Sequence, residues 1–479
     1  MEPKQVSLKK DSLSLWHVIG QGLIANGPLS AAAVALTVAA SYALGATPLA
    51  YLFGISLVLL WVNTPYQFGK FFASASGVHY YAHKSMGPAA GYLAGISYAV
   101  YYNALLPANA LFLGVLLDTL LSQFGYSMPY YFWIPIFLIF LMPPIIMNYL
   151  GIKPSLNYGI ITAFVEIIAL VAISALIILA AGPANTTAVF NFKLAQGGLS
   201  GFAVGMLVAG FDMSGTTATV YLGAEAKAPH ETIRKGLLIS TLMIVFLYIL
   251  VSYAMTIGWG YRDMSTFANS GAPLFVELYK YTGVIPELLI AALTINSLVG
   301  LVTASTIVSS RLYLTFGKQG LFPKAFGNIN EKHGTPGIAI LFTALAGIFV
   351  GLILGFEWGI VDAYIFFILL ATIAEFVGHI IGNVALSIFS LRNHMKRFIT
   401  YVVIPIASLA TVLFGIFYTF YPVTYPTVFA PLSMVVLLVG GFVEYYVLVK
   451  RNPNRLEKIN SGVEELSSEV APGLKRVNS

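Results

Sequence analysis

Apolar stretches long enough to cross a bilayer recur along this chain almost from end to end, and they leave few folds open to it. A helix spans hydrocarbon with about 20 apolar residues. On that measure twelve spans can be drawn, at about 14–43, 47–74, 85–122, 129–150, 156–181, 198–222, 235–259, 284–316, 336–355, 360–391, 398–420 and 426–449. Only 9% of the 479 residues are charged and 58% are hydrophobic, against roughly 25% charged in a soluble domain. The expected fold is therefore an all-α polytopic membrane protein.

An even number of spans puts both termini on one side. Of the 25 lysines and arginines, all but Lys193, Arg262 and Lys280 fall on that side, so the positive-inside rule makes both termini cytoplasmic. The net charge of +6 is then a topology signal, and no nucleic-acid partner is implied. The partners expected are the lipid bilayer and a small molecule, with no obligate protein partner. The chain has no cysteine, which excludes disulfides, thiolate catalysis and Cys-ligated metals. The first eleven residues are polar and the apolar run after them is long, so no cleavable signal peptide is expected.

Within the first span, Val18-Ile19-Gly20-Gln21-Gly22-Leu23-Ile24-Ala25-Asn26-Gly27-Pro28 places three glycines, an asparagine and a proline where a helix should be most regular. Glycine weakens a helix, and proline removes a donor and clashes with the preceding turn. Irregular backbone survives at membrane depth only where it is buried in protein or lines a wet cavity. This stretch reads as a broken helix at a substrate site. Transporters often repeat such a break in a second, inverted half. The sixth span carries one, with Gly201, Gly205 and Gly210-Phe211-Asp212-Met213-Ser214-Gly215 followed by Thr216, Thr217 and Thr219. Small-residue packing between helices is the alternative for either span alone. Two interrupted spans, five apart, favour a paired site.

Four stretches resemble the amino acid–polyamine–organocation (APC) superfamily of transporters. Gly20-Gln21-Gly22-Leu23-Ile24 is similar to that family's G-x-G-I-F break. Gly210-Phe211-Asp212, with Glu225-Ala226-Lys227-Ala228-Pro229-His230-Glu231-Thr232-Ile233, resembles its sixth-helix G-F-E and the following E-x-K-x-P loop. Ser310-Arg311-Leu312-Tyr313 through Gly334-Thr335-Pro336 and Gly77-Val78-His79-Tyr80-Tyr81 through Gly91-Tyr92 resemble its segments after the eighth helix and entering the third. The resemblance implies a LeuT-like fold of twelve transmembrane helices, with broken first and sixth helices. Residues 14–181 and 182–391 would form a five-plus-five inverted repeat. The cytoplasmic segment 1–13 precedes it, two further helices lie in 392–449, and the tail 450–479 is expected to be disordered.

The resemblance also implies amino acid transport by alternating access, with a proton as coupling ion and sodium as the alternative. The substrate-binding candidates are Gly20, Gln21, Gly22, Ala209, Gly210, Phe211, Asp212 and Ser214. Half-helix N-termini expose amides that attract a carboxylate, and the resemblance gives carbonyls near Gly20 and around Ala209, Gly210 and Phe211 to the ammonium. Asp212 stands where many members have Glu, and can attract a cation, shape a gate or accept backbone hydrogen bonds.

Glu166, mid-way along the fifth span, is a coupling candidate because a charge at membrane depth is costly, and a neutral, hydrogen-bonded structural carboxyl is the alternative. In some proton-coupled relatives a lysine occupies this region, so the acidic residue is a departure. Ser297 and Thr303 on the eighth span are candidates for lining the sodium-like locus. Glu375, His379 and Asn383 recur on one face of the tenth span, and the pair Glu375–His379 is either a proton path or a self-satisfied pair. Tyr98, Tyr101, Tyr102 and Asn103 are further possible substrate contacts. Residues 20–25 satisfy G-x-G-x-x-A, but no strand precedes them, so a dinucleotide site is rejected. No catalytic constellation, cofactor or metal set is found, and no enzyme is expected. The alternatives are a polyamine or other organic-amine carrier, an amino acid exchanger, and a transport-like ligand sensor.

Overall fold

The computed structural model describes residues 8–420, 425–426 and 428–467. In chain order its helices are α1 (Leu15–Asn26), α2 (Pro28–Ala43), α3 (Thr47–Phe68), α4 (Val78–Met86), α5 (Pro88–Gln123), α6 (Trp133–Leu150), α7 (Ile152–Ala181), α8 (Leu199–Asp212), α9 (Pro229–Trp259), α10 (Met264–Ala268), α11 (Pro273–Thr282), α12 (Val284–Gln319), α13 (Gly337–Trp358), α14 (Ile360–Arg392), α15 (Ile404–Phe420), α16 (Phe429–Arg451) and α17 (Arg455–Glu464). Among the described residues, extended pairing is limited to two isolated bridges, Leu13 with Ala226 and Ser74 with Ser467.

Among the described residues, eleven helical stretches are long and apolar enough to cross a membrane. The first, Leu15–Phe68, has 54 residues, more than twice the roughly 20 that one crossing needs, and a 3₁₀ turn at Leu44–Ala46 divides it. If it crosses twice, the total becomes the twelve read from the sequence. Large apolar side chains such as Leu179, Phe246, Leu345 and Phe349 are exposed on the outer faces, as lipid contact requires. α16 is the most peripheral crossing, with 11% of its apolar window buried.

Both expected interruptions are present. In the first span the break falls at Gly27, not at Gly20–Gly22. α1 ends at Asn26, Gly27 takes the left-handed conformation (φ 56°), and Pro28 opens α2. Glycine reaches that conformation without steric cost, and proline at a first helical position gives up only an amide with no partner. In the sixth span α8 ends at Asp212, and after Met213 the chain continues as a 3₁₀ stretch, Ser214–Leu222. Glycines let α8 lie close to α2 and α3. A Cβ on Gly205 would stand 2.7 Å from the Ala43 Cβ, and one on Gly54 3.2 Å from the Gly210 amide.

The tail differs from its expectation of disorder. α17 is a helix docked across the end of α12, and residues 468–479 lie outside the described residues. Gly462 allows the approach, since a Cβ there would meet the Lys318 carbonyl at 2.6 Å. Leu8 and Leu466 share one small apolar cluster with Ala75, Leu314 and Ile329, so the first and last described residues lie on the same face.

Candidate substrate site

The two interruptions meet. Asn26, the last residue of α1, donates from Nδ2 to the Asp212 carbonyl at 2.6 Å. A Cβ on Gly215 would lie 2.6 Å from the Ala25 carbonyl and 2.8 Å from Asn26 Oδ1, so only glycine fits this crossing. Asn26 is buried, and its Oδ1 has no hydrogen-bond partner. The Asp212 carboxylate accepts from the Tyr51 hydroxyl at 2.7 Å.

A cavity of about 300 Å³ opens at this crossing. Asn26, Ser30, Tyr101, Phe211, Asp212 and Ser214 contribute to its inner end. Apolar side chains of α2, α5, α12 and α14, among them Val34, Leu105, Leu301 and Ile368, form the walls. It extends to Val38, Tyr364 and Thr419, towards the face opposite the termini, where Val38 is 47% exposed. Asp212 is the one charged side chain on the wall among the described residues. Ser30, Asn109 and Thr372 already donate to carbonyls of Gly27, Leu105 and Ile368.

Of the eight substrate candidates, Phe211, Asp212 and Ser214 line the cavity, whereas Ala209 and Gly210 lie behind it and the Gly210 carbonyl accepts from Met213 N–H. Gly20, Gln21 and Gly22 stand inside regular helix, away from the cavity. Their glycines give close packing instead. A Cβ on Gly20 would be 2.4 Å from Ile160 Cγ1, and one on Gly22 2.4 Å from Ser240 Oγ. Gln21 donates from Nε2 to the Ala304 carbonyl at 3.2 Å. Tyr101 reaches the cavity, unlike Tyr98, Tyr102 and Asn103.

Glu166 and Ser297 are brought together at the start of α2. Glu166 Oε2 accepts from the Leu29 amide at 3.4 Å, and Ser297 Oγ accepts from the Ser30 amide at 3.2 Å. Thr303 is not part of this group, because its hydroxyl donates within α12 to the Val299 carbonyl. Glu375 lies 3.5 Å from His379 and also 3.1 Å from the Ser214 hydroxyl. Asn383 accepts from the Thr64 hydroxyl and donates to Ser408. Asn26, Tyr51 and Asn296 were missed as site residues. For Asn26 a signal existed, a buried amide just before Gly27-Pro28, but its partner is 186 positions away.

Residues 22–458 match the family model for amino acid permeases. The chain belongs to the amino acid permease family, within the APC superfamily. It is similar to the branched-chain amino acid permease BcaP of Lactococcus lactis, 26% identical over 34% of each chain. It is also similar to the human large neutral amino acids transporter small subunit 2, 26% identical over 33% of this chain and 28% of the relative. The low-affinity putrescine importer PlaP of Escherichia coli is 21% identical over 62% of this chain and 65% of its own. The chain thus aligns with about a third of the length of the first two relatives. This permease is a multi-pass membrane protein with a paired helix interruption at its centre.

Proposed function

We propose that this permease is a secondary active transporter of α-amino acids with bulky apolar side chains, working by alternating access with the proton as coupling ion. The two five-helix halves, 14–181 and 182–391, would each supply one interrupted helix, and both termini would be cytoplasmic. The observation that carries the substrate reading is the cavity's division into one polar end and apolar walls. At the polar end, Asp212 supplies a carboxylate acceptor for an ammonium. Because Glu166 and Ser297 occupy the first amides of α2, the carboxylate is assigned to the start of Ser214–Leu222, which has no side-chain cap and whose first residues, Ser214 and Gly215, line the cavity.

The walls then read the side chain. Burying an uncompensated polar group costs about 2 kcal/mol or more, which disfavours lysine, glutamate and serine. Each methylene missing from an apolar subsite costs roughly tenfold or more in selectivity, which disfavours alanine. A second reading, an organic-amine carrier, is favoured by Asp212 alone. Among the described residues the walls hold no second acid for a diamine.

The test is uptake into proteoliposomes under separately imposed proton and sodium gradients. Leucine or phenylalanine uptake is expected to follow the proton gradient and to be inhibited by bulky apolar amino acids far more than by alanine, lysine or putrescine. Uptake of no amino acid under either gradient overturns the reading. Inhibition by amines alone selects the second one, and binding without uptake selects a sensor.

A further inference from the structure

Each interrupted helix resumes against a buried carboxyl group that the cavity does not reach. For the first, Glu166 of α7 accepts the Leu29 amide at the start of α2 and also accepts from Asn296 Nδ2 at 3.3 Å. Asn296 is held in turn by the Tyr158 hydroxyl. For the second, Glu375 of α14 meets the hydroxyl of Ser214, the first residue of the resumed 3₁₀ stretch. The two carboxyls are 1% and 0% exposed, and neither is on the cavity wall. Each sits on the fourth crossing after the interruption it serves, if Leu15–Phe68 counts as two crossings.

We infer that Glu166 and Glu375 are paired positioning residues, one for each interrupted helix. Each ties the resumed segment in the state whose cavity opens away from the termini, and neutralising either one frees its segment to move towards the opposite state. This deepens, and rests on, the alternating-access reading above. A hydrogen bond to a charged acceptor is about twice as strong as a neutral one. A carboxylate at the start of a helix also gains from the unpaired amides there. One proton removes both advantages.

The groups facing Glu166 are the Leu29 amide, Asn296, Ser297 and the phenols of Tyr158 and Tyr248. Those facing Glu375 are Ser214, His379 and the phenols of Tyr98, Tyr101, Tyr102 and Tyr221. His379 is the one histidine among these neighbours, so a His379→Gln variant separates its contribution from that of Glu375.

The experiment compares Glu166→Gln, Glu375→Gln and the double variant with the parent in proteoliposomes. Leucine affinity is expected to stay within about twofold, since neither group touches the cavity, while the turnover of net uptake falls about tenfold or more and loses its pH dependence. Glu166→Asp and Glu375→Asp are not expected to restore it, because the shorter side chain withdraws from its segment. Parental turnover and pH profile in both Gln variants overturn the inference, as does an affinity loss equal to the turnover loss. Should those variants not fold, alkylation of Val38→Cys in the otherwise cysteine-free parent decides. The alkylation rate is taken relative to that of the same thiol in the unfolded protein at each pH, which cancels the change in thiolate fraction. A relative rate that falls on acidification between about pH 8 and 5 supports the ties, and a constant relative rate overturns them. That labelling needs no transported substrate, so it separates this inference from failure of the amino acid reading, which appears as absent uptake in the parent.

Discussion

Gly20 and Gly27 lie in one apolar run, yet the chain needs glycine there for different reasons. Gly27 must reach φ 56°, where a Cβ costs about 1–2 kcal/mol. Gly20 is helical, and what it permits is close contact with Ile160. Gly20→Ala is therefore expected to lower the thermal unfolding temperature and leucine uptake together. Adding Ile160→Ala removes the obstructing Cγ1 and leaves the next contact at an ordinary 3.5 Å, so the pair should recover part of both losses. A pair as defective as Gly20→Ala alone would point to a ligand role for Gly20. Asp212 makes the opposite case, because it faces the cavity. Asp212→Asn keeps an acceptor for the Tyr51 hydroxyl but removes the charge. Hydrogen bonds to charged groups contribute about 1.5–3 kcal/mol, so the leucine KM is expected to rise about tenfold or more with little change in unfolding temperature. An unchanged KM would show that the ammonium binds elsewhere.

At the scale of the helices, the two interruptions were legible because glycine, asparagine and proline at mid-span have few other readings in hydrocarbon. The exact break was not. Gly20-Gln21-Gly22 matched the family's pattern, but Gly27-Pro28 has the backbone chemistry, and motif likeness cannot tell a packing glycine from a hinge. The cavity walls were illegible for another reason, since Leu105, Leu301 and Ile368 are apolar like their neighbours and only packing turns them inward.

α17 was missed because a ten-residue helix of this kind gets its stability from docking, not from its own periodicity. The docking buries Ile459 and Val463 in the core and adds polar contacts. Glu464 accepts from Tyr80 and pairs with Lys84, Lys318 pairs with Glu465 at 3.0 Å, and His83 meets Asn460 at 3.0 Å. Burial works to raise the Glu464 carboxyl, but Lys84 and Tyr80 outweigh it and hold it below its ordinary value. Burial also pushes His83 below its ordinary 6.5. Both shifts are downward, so both contributions are complete above the unperturbed values and are lost as pH falls. Docking is thus expected to weaken first below 6.5, through His83, and again below 4.5, through Glu464. A fluorophore on Ser461→Cys, exposed on α17, should become more mobile across that range, and Glu464→Gln should remove the lower step. Constant mobility would mean that apolar contacts alone hold the helix.

Across the whole molecule, the cavity is open towards one face and the other face is closed by contacts that tie distant parts of the chain. Leu13 bridges to Ala226, and the Arg311 guanidinium donates to buried Glu225 from Nε at 2.9 Å and from Nη2 at 2.5 Å. Under the alternating-access reading proposed above, such a seal breaks in each cycle, and it sets how far the resting population leans to one side. Removing one partner leaves a lone buried charge, at a cost of about 3–5 kcal/mol, so the informative variant is the charge-neutral pair Glu225→Gln with Arg311→Met. The chain has no cysteine, which allows single-cysteine reporters on each side of the breaks. In vesicles of known orientation, Val38→Cys should react with an impermeant maleimide from the face opposite the termini. Thr219→Cys, whose native side chain is fully buried, should be refractory from both faces. With the seal removed, Thr219→Cys is expected to become reactive from the side of the termini while Val38→Cys is protected. Opposite changes at the two positions are the signature of one cavity changing sides. If Thr219→Cys stays refractory, the ion pair is a structural brace and the closed face is held by the helices themselves.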